Sequence, residues 1–122
     1  MKILKYGQQW EKDEDVIKKA NTENTNLNII PFPAEFVDEK NDDGDCTAKG
    51  IYINFMQLED YILFPQFGLN MDEIALDYTK DLFPHCEVIP INSNEIALDG
   101  GVLNCITWNI KMKVCENECI TL

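Results

Sequence analysis

The sequence predicts a mixed α/β (α+β) domain organised on one ββαβ module, and three observations carry that prediction. Residues 51–56 and 61–65 are two β-branched and aromatic runs separated by a polar turn at 57–60, the pattern of an antiparallel hairpin. After Gly68, the residues Met71, Ile74, Ala75, Tyr78 and Leu82 recur at helical spacing, and Asn70 stands three positions ahead of Glu73 in a capping-box-like start. Pro84 closes that helix, and 87–91 then reads as a short strand around Val88 and Ile89.

The flanking elements follow in order. Trp10, Val16, Ile17 and Ala20 are spaced for an amphipathic surface helix over 10–21, with Lys12, Lys18 and Lys19 turned to water. A polar cluster at 21–26 ends it, and 27–32 reads as a strand stopped by Pro31 and Pro33. Residues 33–50 form a linker or flap. Its acidic centre, 38–45, lacks the ligand order and closing glutamate of a calcium loop and reads as solvated. After the module, Gly100 and Gly101 make a tight turn, Glu95 faces solvent on a short helical turn, and 105–112 is expected to be a strand.

Length and composition set the frame. A chain of 122 residues supplies one domain, 1–122, with a modest core. With 22 acidic against 10 basic residues and a net charge of −12, the chain has no basic surface for a nucleic-acid backbone. The five cysteines form no regular framework and point to reduced thiols in the cytoplasm. The first residues hold no signal-type apolar segment, and no run is long enough to span a membrane. Cys115, Cys119 and His85 fit no zinc spacing, so neither metal nor cofactor is expected.

The residue most charged with chemical meaning is Cys105, delivered by the glycine turn to the head of a β-type run. The string Gly100-Gly101-Val102-Leu103-Asn104-Cys105-Ile106-Thr107 resembles the nucleophile motif of the agmatine deiminase and bacterial (porphyromonas-type) peptidylarginine deiminase family. Four upstream strings, Ile30-Pro31-Phe32-Pro33, Tyr52-Ile53-Asn54-Phe55, Leu63-Phe64-Pro65-Gln66-Phe67-Gly68 and Leu82-Phe83-Pro84 with Glu87-Val88, are similar to motifs of that family in the same order. The resemblance covers only the C-terminal part of a family enzyme. It implies the pentein fold, in which ββαβ units repeat around a central axis, so this chain would be a partial α/β propeller.

What the resemblance implies for chemistry is specific. Cys105 would be a thiolate that attacks a guanidinium carbon, expels ammonia and leaves a thiouronium adduct, which water hydrolyses to a ureido product. Gly100, Gly101 and Asn104 would border the substrate. The family takes its histidine and its guanidinium-binding carboxylates from earlier repeats, in Glu-Gly-Gly and His-x-Asp strings that this chain lacks. The resemblance gives His85 no role. Glu95 and Asp99 are read as solvent-facing or bracing, and Trp108 as core.

Two functions are therefore expected as alternatives. The first is the nucleophile-bearing part of a guanidine deiminase, acting on agmatine or an arginine residue when other segments complete it. The second is a non-catalytic oligomeric domain. In either case the open edges at 27–32 and 105–112 predict a homo-oligomer.

Overall fold

A computed structural model describes residues 30–110 together with the helical residues Asp15, Val16, Lys18 and Lys19. The predicted module is present. Strand β1 (Met56–Gln57), strand β2 (Tyr61–Gln66), helix α1 (Met71–Leu82), strand β3 (Glu87–Asn92) and helix α2 (Asn94–Ala97) follow one another along the chain. The sheet order is β1-β2-β3. β1 is antiparallel to β2, with Met56 opposite Leu63, and β2 runs parallel to β3 from Tyr61↔Glu87 to Gln66↔Asn92. Antiparallel neighbours need only a tight turn, here Leu58 N–H donating to the Tyr61 carbonyl (2.8 Å), whereas the parallel pair needs α1 as a crossover.

β1 is much shorter than the strand expected over 51–56, and Pro65 supplies the reason. Backbone groups along a strand point alternately to its two sides, so Tyr61, Leu63 and Pro65 all address β1. The register carried on from Met56↔Leu63 would set Asn54 against Pro65, which has no N–H to give. The ladder stops there. Upstream of it, 51–54 is turned rather than extended, with Asn54 N–H donating to the Ile51 carbonyl.

The core lies between the sheet, α1 and the segments before β1 and after α2. Tyr52, Ile62, Phe64, Phe67, Ala75, Val88, Ala97 and Val102 are buried in it. The Tyr52 ring stacks on Phe64 at 5.9 Å and meets Phe67 edge-on at 5.4 Å, while Phe55 packs against Phe83 and Phe32. α1 turns Ala75 and Thr79 inward, and Ile74, counted on the apolar face in the sequence, is exposed. Asn70 makes no side-chain cap, contrary to the capping-box reading. The helix start is served instead by one distant carboxylate, Glu35, while Asp72 in the first turn ties down the segment that leads into the helix. Glu35 Oε2 accepts the Met71 N–H (3.1 Å), and the buried Asp72 carboxylate accepts Phe67 N–H (3.0 Å), Gly68 N–H (2.8 Å) and the Tyr52 hydroxyl. Burial, helped by the Asp72 hydrogen bond, pushes the Tyr52 hydroxyl far above its usual range, so it stays a donor.

Three further expectations are corrected. Residues 30–32 are not in a strand, and the remainder of the expected 27–32 strand lies outside the described residues. Residues 33–50 are not a free flap: Lys40 and Cys46 form an antiparallel bridge, Asn41 Oδ1 accepts Asp43 and Asp45 N–H, and Asn41 Nδ2 donates to the Leu98 carbonyl (3.0 Å). Ala48 N–H donates to the Ala97 carbonyl (2.8 Å), which ties the same loop to the end of α2. Residues 105–110 form no strand, and 111–112 lie outside the described residues. Asp42, Asp43 and Asp45 are exposed, as a solvated loop requires.

Candidate active site

Cys105 sits in a turn spanning 103–106, exposed, beyond the point where the β1 ladder stops. The sequence places it there in steps. α2 ends with Gly100 in the left-handed region (φ +82°), its N–H donating to the Ala97 carbonyl at 3.2 Å, the backbone state that glycine reaches without steric cost. Val102 and Leu103 then enter the core and anchor the chain. The Asn54 carbonyl, which Pro65 leaves without a ladder partner, accepts the Asn104 N–H at 3.3 Å. That bond brings the Cys105 turn alongside Asn54.

The Asn54 side chain then holds Cys105 at two atoms. Its Oδ1 accepts the Cys105 N–H (3.1 Å), and its Nδ2 donates to Cys105 Sγ (2.8 Å). Donors aimed at sulfur favour the thiolate, and the Asn54 amide, followed by a backbone hydrogen bond from Val102, draws the Cys105 thiol below its ordinary pKa. Partial desolvation works against them and is the smaller effect. Gly101 lies against the thiol: a Cβ at that position would fall 3.0 Å from Cys105 Cβ and 3.6 Å from Sγ. A close-packed backbone therefore forms one wall of the site.

Gly101 is thus brought against Cys105, with Gly100 and Asn104 beside them in the chain, although Cys105 lies within a turn and not at the head of the expected strand. Asn104 contributes its backbone, and its side chain is exposed. Glu95 is exposed on α2, and Asp99 is exposed beside Gly100. Trp108, expected in the core, is 85% exposed. His85 is an exposed turn residue just before β3, at the N-terminal end of the parallel pair, whereas Asn54 is level with the C-terminal end. The two ends are separated by the length of six-residue strands, on the order of 20 Å. Asn54 is the residue that sequence reasoning overlooked. It stands within the 52–55 string, whose pattern was visible while its role was not, because the contact depends on the proline that ends β1.

Among the described residues no group of three or more His, Cys, Asp or Glu is arranged to hold a metal, and no helix is long and apolar enough to cross a membrane. Cys115 and Cys119 lie outside the described residues.

Comparison with known proteins shows the family and the fold. A Listeria monocytogenes protein with the provisional name agmatine deiminase 1 is 38% identical over 69 residues, covering 57% of this chain and 19% of the relative. The agmatine deiminase of Enterococcus faecalis superposes with a TM-score of 0.62 at 21% identity over 84% of this chain and 34% of its own. A Porphyromonas gingivalis structure provisionally named an arginine deiminase gives 0.60 at 23% identity, over 83% of this chain and 30% of that one. At these identities the structures show the fold, the pentein fold of the deiminases. The chain spans about a fifth of the length of the curated relative. The family model for Porphyromonas-type peptidyl-arginine deiminases matches residues 5–110, and the chain belongs to that family.

Proposed function

We propose that this chain is the nucleophile-bearing part of a guanidine deiminase that converts agmatine or a peptidyl arginine to its ureido product and ammonia. The observation that carries the reading is the pair of hydrogen bonds between Asn54 and Cys105, one of them donated by the Asn54 amide to sulfur. A buried cysteine serving only as packing needs no donor at sulfur, whereas a nucleophile is activated by one. The Cys105 thiolate attacks the guanidinium carbon. The C–N bond to the departing nitrogen breaks once that nitrogen is protonated, ammonia leaves, and water hydrolyses the thiouronium adduct to release the thiol. Gly101 gives the planar cation a close approach, and Gly100 and Asn104 shape the rim.

Two requirements are not met by the Asn54–Cys105 pair itself. The departing ammonia needs a proton donor, and the cation needs carboxylates. His85 stands at the wrong end of the sheet to act on Sγ. On this reading the chain is inactive alone, and its free Cys105 thiol suits a reducing compartment such as the cytoplasm. The test is competitive alkylation of the cysteines alongside an ammonia assay with agmatine and an arginine peptide. Cys105 reacts ahead of the other thiols, this lead is lost in Asn54→Ala, and the chain alone releases no ammonia above a Cys105→Ser control. A Cys105 no faster than Cys46 would defeat the reading.

A second reading, a non-catalytic domain that self-associates, draws on one observation, the exposed apolar residues Ile106, Trp108 and Ile110. It requires a dimer or larger assembly by light scattering and an unreactive Cys105.

A further inference from the structure

We infer that Asn41 is a positioning residue for the Cys105 thiol, acting through the glycine turn that walls the site. The inference deepens the deiminase reading above and rests on it. All four polar groups of Asn41 are engaged. Its N–H donates to the Asp45 carbonyl (2.9 Å), its carbonyl accepts the Gly44 N–H (3.0 Å), and its Oδ1 accepts the Asp43 and Asp45 N–H groups. These three groups close the loop on itself. The fourth leaves it: Nδ2 donates to the Leu98 carbonyl at 3.0 Å, across 57 positions of chain. The base of the loop is held by the Lys40–Cys46 bridge, by Thr47 N–H donating to the Glu39 carbonyl (3.2 Å), and by the Lys49–Glu39 ion pair (2.8 Å). Asn41 therefore projects its amide from a braced support.

What it supports has little strength of its own. α2 is a single turn of four residues, Ser93 gives it no side-chain cap, and a helix that short does not persist without outside contacts. The loop satisfies the carbonyls at its C-terminal end, Leu98 through Asn41 and Ala97 through the Ala48 N–H (2.8 Å), groups that a helix end otherwise leaves unpaired. Gly100 and Gly101 come next and have no side chains with which to fix themselves. Their position is set between this loop upstream and the buried Val102 downstream. Two features of the thiol depend on that position. Gly101 lies against Cys105, since a Cβ there would fall 3.0 Å from Cys105 Cβ. The Val102 N–H, one of the two donors that favour the thiolate, lies in the rigid plane of the Gly101–Val102 peptide, so a rotation at Gly101 turns that donor away from Sγ. The Asn54 donor reaches sulfur from a different segment and stays in place.

The test is the rate of Cys105 alkylation against pH in the full chain carrying Asn41→Ser, read by mass spectrometry of the labelled peptide. A serine hydroxyl still accepts an N–H from the residues that follow it, as the loop needs, yet is too short to reach the Leu98 carbonyl. The expected result is a profile displaced to higher pH: labelling slows at neutral pH and recovers at high pH, where the thiol is ionised in every variant. The amides of β2 and β3 keep their wild-type hydrogen-exchange protection, which shows that the sheet is intact. A second variant, Asn41→Asp, keeps an acceptor for the Asp43 and Asp45 amides and sets an oxygen against the Leu98 carbonyl. Its displacement is expected to persist at about 1 M salt, which screens the added charge. If Asn41→Ser loses the protection of the sheet, Asn41→Asp decides by the same readout. A profile that stays in place while stability falls, or a displacement in Asn41→Asp that salt abolishes, overturns the inference and leaves Asn41 a structural residue only. A wild-type Cys105 no faster than Cys46 removes the deiminase reading and the inference together. A fast, Asn54-dependent Cys105 whose profile ignores Asn41 removes the inference alone.

Discussion

A Cβ on Gly101 would sit 3.0 Å from Cys105 Cβ, tighter than side chains normally approach, and in ordinary contact with Sγ at 3.6 Å, so in Gly101→Ala Cys105 must shift by a few tenths of an ångström and its hydrogen bonds to Asn54 are disturbed. We expect that variant to fold and to alkylate more slowly at Cys105, a change that mass spectrometry of the labelled peptide measures directly. Asn54→Ala removes the donor at sulfur outright. Because that donor lowers the thiol pKa, its loss raises it, and the pH profile of Cys105 alkylation moves to higher pH; an unmoved profile would show that the Asn54 contact does not activate the thiol. Away from the site, Tyr52 donates to the buried Asp72 carboxylate. Tyr52→Phe leaves that carboxylate with one fewer donor and should cost about 1–3 kcal/mol in urea unfolding.

At the level of elements, Pro65 ends the β1 ladder and so frees the Asn54 carbonyl for Asn104. Pro65→Val restores an N–H of similar side-chain bulk at a fully buried position, and that N–H competes for the Asn54 carbonyl. The expected outcome is a longer β1 and a slower Cys105, with a folded far-ultraviolet circular dichroism spectrum; unchanged alkylation would show that the proline does not set the site. The same proline explains what could be read from the sequence. The order strand, strand, helix, strand was legible because β2, α1 and β3 each carry their own periodicity and punctuation, from Tyr61 to Asn92. The strand expected over 51–56 shrank to Met56–Gln57, since the apolar run of Ile51, Tyr52 and Ile53 reflects Tyr52 entering the core from a turn and not alternation on a pleat. The cap of α1 was misread because its true partner, Glu35, is remote in sequence. Cys105 and its glycines were found through a local string, whereas Asn54 required knowing which strand a distant proline interrupts.

For the molecule as a whole, the expected failure of the isolated chain to release ammonia has a scale, since missing acid–base assistance alone withholds roughly 10²- to 10⁴-fold. Ammonia release from agmatine that disappears in Cys105→Ser would contradict it. The bonds that make the thiol special also differ in range from those that make the sheet. β2 closes on β3 across the intervening α1, while Asn54 and Cys105 are 51 positions apart and Asn41 reaches Leu98 across 57. Closing longer loops costs more chain entropy, so the contacts that shape the site are the ones expected to form late in folding and to open first. In native-state hydrogen exchange the Cys105 amide should therefore lose protection at a lower urea concentration than the amides of β2 and β3. A cell that loosened this chain only slightly would disarm its thiol while leaving the sheet intact.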